Sequence, residues 1–413
     1  MSRVVSALAT AAASAAAILF ASHVTGGSVH AQPPAAAADP VARLAGRIER
    51  GETTLEYRAG AGYLPSLLER LGIAIDSQIL VFSKTSFQQA IISPKNPRAI
   101  YFNDTAAVGT VPGGRVYELA AVDPIRGVSF YTLDVGEPVR FERQAGQCVF
   151  CHLPGNRGSP GFVVASVIPD RDGVPFFTGT LFQLVDHRTP LEDRWGGWYV
   201  TGRHGSAPHM GNAVAPDPEH PADLDQSASL NVTDLGTRFD TSKYLAPTSD
   251  IVALMTLEHQ AGAYSRLFGA RVLYDRAQQS GMPAALARDL DAAIDDLVAY
   301  LVFADEAPLA APVSGVSTFA RSFAARGPRD RQGRSLCDFD LQTRLFKYPL
   351  SFTIYEDAFD RLQPGLRDRV YRRLRAVLSG DDTRGAFAGL DADRRAAALE
   401  ILRDTKAALP STW

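Results

Sequence analysis

Apolar positions change their spacing several times along the chain, and each change predicts a different kind of element. An unbroken run from Val4 to Ala21 is built of Ala, Val, Leu, Ile and Phe with a few Ser and Thr. Around Val41 to Ile48 and Tyr63 to Leu71 the spacing becomes helical, with Leu64, Leu67, Leu68 and Leu71 on one face. From Gln78 the runs become short, β-branched and aromatic: Ile79 to Phe82, Ala99 to Phe102, Arg115 to Leu119 and Val128 to Leu133. Between them lie Ser93-Pro94, Asn96-Pro97, Pro112-Gly113-Gly114 and Asp123-Pro124, which are turn signals. This alternation predicts a small antiparallel sheet. A further hairpin is expected from Phe162 to Ile168 and Val174 to Leu181, joined across Asp170 to Gly173.

The stretch from His204 to about Ser242 is rich in Gly, Pro, Asp and Asn, which reads as a long functional loop. Helical spacing returns after Ser249 or Asp250, either of which can cap a helix over 249–268 that carries Ile251, Leu254, Met255 and Leu257. Pro283 stands near the start of the next helix, with Leu286, Leu290, Ile294, Leu297 and Leu301 on one stripe. One more helix carries Leu366, Val370, Leu374 and Leu378, and another Leu399 and Leu402. No internal repeat is present. The pattern predicts an α+β fold in which an antiparallel β-rich core is flanked by N-terminal and C-terminal helices. Four segments follow: a leader over 1–31, a linker and short helices over 32–77, a β-rich segment over 78–245, and a helical region over 246–413.

The leader has the marks of a secretory signal peptide. Arg3 precedes the apolar run, and Val29-His30-Ala31 is a small-x-small site ahead of Gln32-Pro33-Pro34. Cleavage is expected after Ala31. The alternative is an uncleaved anchor, but the alanine-rich run makes a poor span, and no cysteine follows for lipid attachment. Elsewhere no stretch is long and apolar enough to cross a bilayer, so the mature product is expected to be periplasmic and without a membrane span. Composition adds little: 46% hydrophobic and 21% charged residues, with a formal net charge of −3. That mild acidity offers no electrostatic footprint for nucleic acid.

The chemistry concentrates in Cys148-Val149-Phe150-Cys151-His152. Two thiols three positions apart can form thioethers with both vinyl groups of one porphyrin, and the following histidine then reaches the iron. Cys148 and Cys151 are therefore the expected attachment points of a single covalent haem c, with His152 its proximal ligand. A thiol–disulfide site or half of a zinc site are the competing readings. A zinc site wants further Cys or His at ligand spacing. The third and last cysteine, Cys337, is far away with no histidine beside it. A redox pair would open a helix in a βαβ pattern, which is absent. Export agrees with haem, because thioether attachment in bacteria is completed outside the cytoplasm. Cys337 is expected to be a buried inert thiol.

A second axial ligand would come from Met210, His209 or His259, in that order of expectation. Met210 and His209 lie in the segment from Trp195 to Asn212, which offers two histidines, a methionine, two tryptophans and several glycines that let backbone approach a flat ring. Met255 and His259 share a helix face. There Met255 can simply fill core, and His259 can serve as a hydrogen-bonding support to a ligand. His187 and His220 stand among polar residues and are expected in solvent. Trp195 and Trp198 are expected to pack in the core or at a haem edge.

With those segments in view, the chain resembles exported bacterial monohaem c-type cytochrome-like proteins. The matching stretches include Ser83 to Gln88, Asn96 to Asp104, Cys148 to His152, Arg194 to Thr201, His209 to Asn212, Leu257 to Gln260 and Thr343 to Pro349. Together they span about residues 60 to 410. The resemblance implies covalent haem and a redox setting, and it assigns no substrate. The leading expectation is electron transfer with a redox partner protein. The runner-up is a haem-dependent oxidoreductase, peroxidase-like or acting on a small-molecule substrate, since the chain is several times larger than a minimal electron shuttle needs. A third possibility is a haem module that senses a gas or small ligand.

Overall fold

In the computed structural model the described residues are 39–413, except 137, 147, 150, 151, 154–158, 177–181, 218, 222, 225, 408, 411 and 412. The leader, its cleavage site, the 32–38 linker and Cys151 lie outside them. The described residues belong to one compact unit.

Chain order begins with two helices, α1 (Pro40–Glu49) and α2 (Leu64–Leu71), and continues through six strands. These are β1 (Ile79–Val81), β2 (Arg98–Phe102), β3 (Ala106–Thr110), β4 (Val116–Asp123), β5 (Gly127–Asp134) and β6 (Arg140–Gln144). A short ribbon follows, β7 (Ala165–Val167) with β8 (Phe182–Leu184), and then β9 (Trp198–Tyr199). The remainder is helical: α3 (Ile251–Gln279), α4 (Ala284–Leu301), α5 (Phe319–Arg326), α6 (Asp357–Asp360), α7 (Pro364–Ser379) and α8 (Ala392–Thr405). The fold is α+β, with a seven-stranded antiparallel sheet in the order β6-β5-β4-β3-β2-β1-β9.

Strand alternation puts two different environments on the two faces of this sheet. Ala99, Tyr101, Val108, Leu119, Ala121 and Leu133 point to the face covered by α1 and α2, and there they join Val41, Leu44, Leu67 and Leu68 in one core cluster. The Asp39 carboxylate fixes α1 to that face: it caps the helix at Ala42 N and accepts the Tyr131 hydroxyl at 2.5 Å. The opposite face looks toward α3, whose cap is Asp250. That carboxylate accepts from Val252 N at 2.8 Å and Ala253 N at 3.3 Å. It also accepts from Val316 N, Ser317 N and the Ser317 hydroxyl, tying the start of α3 to the approach to α5.

Several expectations shift in detail. The third strand of the sheet, Ala106-Ala107-Val108-Gly109-Thr110, carries one β-branched apolar residue and left no run to detect. The polar edge strand Arg140–Gln144 was equally silent. The expected hairpin over 162–181 forms at its turn, where Asp170 Oδ1 accepts from Asp172 N and Val174 N and Phe176 N donates to Ile168 O; residues 177–181 of its second arm lie outside the described residues, and the ladder beyond pairs Ala165–Val167 with Phe182–Leu184. Trp198–Tyr199, expected in a loop, closes the sheet against β1. Helix α3 runs to Gln279 rather than 268 because Ala270 and Ala277 keep it in the core.

Candidate functional site

The motif histidine is held from both sides by backbone. His152 N donates to Cys148 O at 3.1 Å, and Gly161 N donates to His152 O at 2.8 Å. The His152 Nδ1 lies 3.0 Å from Gly161 O. A carbonyl only accepts, so Nδ1 carries the proton and Nε2 keeps its lone pair. Burial holds the ring below its ordinary pKa, against the Gly161 bond, which raises it; the ring stays neutral. Its centroid sits 4.6 Å from that of Phe130 on β5. Cys148 and Val149 are half-buried against the core cluster of Val122, Val128, Phe130 and Phe162.

Strand register explains what lies beside this ring. Phe102, Ala107, Ala120 and Phe130 form one row across β2 to β5 on the face toward α3. The two ends are phenylalanines and the middle is two alanines, both only half-buried. The row therefore has small side chains at its middle, packed against the core, with the His152 ring against Phe130 at one end. In the next row Ile100, Gly109, Glu118 and Thr132 stand side by side. Sequence reading passed over Arg98 and Glu118 in this region; they sit at 2.7 Å from one another.

The other proposed axial ligands lie elsewhere. Met210 and His209 pack over β9, where Met210 N donates to Arg194 O and Asn212 N to Trp198 O. The Met210 sulfur accepts the Ser166 hydroxyl at 3.5 Å. His209 is fully buried beside Trp195 and His204, neither ring nitrogen has a hydrogen-bond partner, and burial takes its pKa down to about 3. His204 is fully occupied, with Nδ1 on Ala207 O at 2.7 Å and Nε2 accepting from Asn231 N at 2.9 Å.

His259 is sealed in the interior. Its Nδ1 bonds His187 Nδ1 at 2.8 Å and its Nε2 bonds the Ser351 hydroxyl at 2.7 Å. His187 is thus not in solvent: its polar neighbours Asp186 and Arg188 pair with Arg266 and Asp296 and leave the imidazole turned inward, 4.1 Å from the Tyr300 ring. His220 is exposed, as expected, and pairs with Asp217. Beside this cluster Glu258 is buried with Arg194 and accepts the Trp195 indole at 2.9 Å; burial pushes its pKa up to about 7. Trp195 and Trp198 are core residues. Cys337 is buried, and its thiol is pushed up to about 12 by desolvation, which keeps it unreactive.

Among the described residues no helix is long and apolar enough to cross a membrane. No three His, Cys, Asp or Glu side chains among them are grouped to hold a metal ion. No protein-family model matches this chain, and no curated protein or solved structure does.

The residues present fit a c-type haem. A metal-bound histidine typically donates its second ring N–H to a carbonyl, which fixes the tautomer and raises ligand basicity. His152 makes that bond to Gly161. The half-buried Cys148 packs against the same core cluster as the Phe130 beside this ring, and Cys151 lies outside the described residues.

Proposed function

We propose that the chain is an exported, periplasmic c-type cytochrome that carries one covalent haem and transfers electrons to a redox partner. The observation that carries this reading is the His152 Nδ1 to Gly161 carbonyl bond, which leaves Nε2 unprotonated within the Cys-x-x-Cys-His run. When bound, the haem would supply an iron that changes between ferric and ferrous. Cys148 and Cys151 would hold the porphyrin by thioethers. His152 would present Nε2 to the metal, its ring plane set by Phe130 and its proton held away by Gly161.

The runner-up, a haem-dependent oxidoreductase, draws support from one placement. Met210 and His209 pack over β9, away from the cluster that holds Cys148, and His259 has both ring nitrogens bonded. An iron served by His152 alone would keep its other side open for a small ligand. Absorption and EPR spectra of the purified protein separate the two. Six-coordinate low-spin iron is the outcome expected of the electron carrier. High-spin iron that reacts quickly with peroxide would put the enzyme first.

A further inference from the structure

Ser86, Gln88, Arg98 and Glu118 converge on the sheet face that carries His152, and the attachment chemistry uses none of them. The Glu118 carboxylate accepts Gln88 Nε2 at 3.0 Å and the Ser86 hydroxyl at 3.3 Å, and forms an ion pair with Arg98 Nη2 at 2.7 Å. These bonds pull the Arg98 side chain from β2 across β3. It can lie there only because position 109 is glycine, where a Cβ would stand 2.7 Å from Arg98 Cζ and Nε. Spread flat over Gly109, the guanidinium keeps one donor idle. Arg98 Nε is buried with no hydrogen-bond partner. A buried donor without an acceptor is costly, and Glu118 does not satisfy it.

The Gly109–Glu118 row adjoins the Ala107–Ala120 row, so the unsatisfied donor borders the row that ends at Phe130 and His152. Arg98 and Glu118 are also the charged side chains that act on the His152 ring through space. A guanidinium held by one ion pair, with a further N–H donor unsatisfied, is suited to bind a carboxylate. We propose that Arg98 is a carboxylate-binding residue of this site, positioned by Glu118 and Gly109. The inference rests on the haem reading for its location. The carboxylate is either a propionate of the porphyrin itself or a small free carboxylate held beside it.

Resonance Raman spectroscopy of the ferric holo-protein reads this directly, because the propionate bending band moves when the hydrogen bonds of that carboxylate change. Unmodified protein, Arg98→Gln and Arg98→Lys are compared, each with and without added acetate, with circular dichroism as the check on folding. A shifted propionate band in Arg98→Gln, with a smaller shift in Arg98→Lys and no response to acetate, assigns the propionate. An unshifted band, with an acetate-dependent spectrum that Arg98→Gln abolishes, assigns a free carboxylate. No band shift and no acetate effect would overturn the proposal. If Arg98→Gln fails to fold, Arg98→Lys carries the same comparison, since an ammonium keeps the charge but loses the fork. Haem staining of unmodified protein tests the haem reading separately. Were that stain negative, acetate would still be expected to raise the Tm of unmodified protein and not of Arg98→Lys, and its failure to do so would end the proposal.

Discussion

Buried imidazoles dominate the chemistry at the scale of single residues. His187, His209 and His259 are all lowered in pKa first by burial, His209 and His259 to about 3 from an ordinary 6.5. For His209 and His259 the folded ring stays neutral where the unfolded one takes a proton, so their stabilising contribution is present above about pH 6.5 and is lost as pH falls toward 3; His187 acts in the same direction. Glu258 works in the opposite sense. Its folded value near 7 lies above the ordinary 4.5, so its contribution is present below 4.5 and lost as pH rises through 7. Asp104, Glu306 and Glu356 are raised in the same sense as Glu258, so the histidine contribution is read from a single substitution rather than from the whole pH curve. Of the three histidines, His209 makes no hydrogen bond that its replacement would orphan. His209→Leu should flatten the slope of unfolding free energy between pH 4 and 6 by about 1.4 kcal/mol per pH unit, measured by urea titration. An unchanged slope would mean that His209 is protonated in the fold.

How legible these residues were depends on whether their chemistry is local. Cys148 and His152 carry their meaning in five adjacent positions. His187 was misjudged because Asp186 and Arg188 look solvated in sequence, while their partners Arg266 and Asp296 are far along the chain. Arg98 and Glu118 gave no motif at all, since they meet only through strand register. The one available signal was that Ser86, Gln88 and Arg98 fall inside the stretches Ser83 to Gln88 and Asn96 to Asp104 that carry the resemblance.

Among the elements, α3 is the one on which most else depends. It begins at Asp250, which is almost fully buried and serves five donors in two segments. Loss of a helix cap costs about 0.5–2 kcal/mol, and each buried donor left without a partner about 1–3 kcal/mol. Asp250→Ala should therefore destabilise the fold by roughly 3 kcal/mol or more in denaturant unfolding. Asp250→Asn, which keeps one acceptor oxygen, should recover part of that loss. Helix α3 was legible because its cap and its apolar spacing are both strong. Strands β3 and β6 were not, because Ala, Gly and Thr in one and Arg, Glu and Gln in the other are placed by pairing with β4 and β5 rather than by their own preference.

Across the whole molecule, the sheet divides structural from functional space. One face is closed by α1 and α2 around Tyr101, Leu119 and Leu133. The other carries Ala107 and Ala120 between Phe102 and Phe130, with the motif histidine against Phe130. The α+β architecture was readable from the alternation of short β runs and later helical spacing. The order of strands was not, because β9 arrives from a segment with no β pattern and pairs with β1 over a hundred residues earlier. The proposed electron transfer depends on a porphyrin covalently attached at the Cys-x-x-Cys-His run. The most direct measurement is the mass and haem-dependent peroxidase staining of protein isolated from the periplasm and run denatured. The account predicts a mass increment of one haem and a stained band, both lost when Cys148→Ser and Cys151→Ser are combined. An unstained band at the mass of the bare polypeptide, or staining that survives the double substitution, would contradict it.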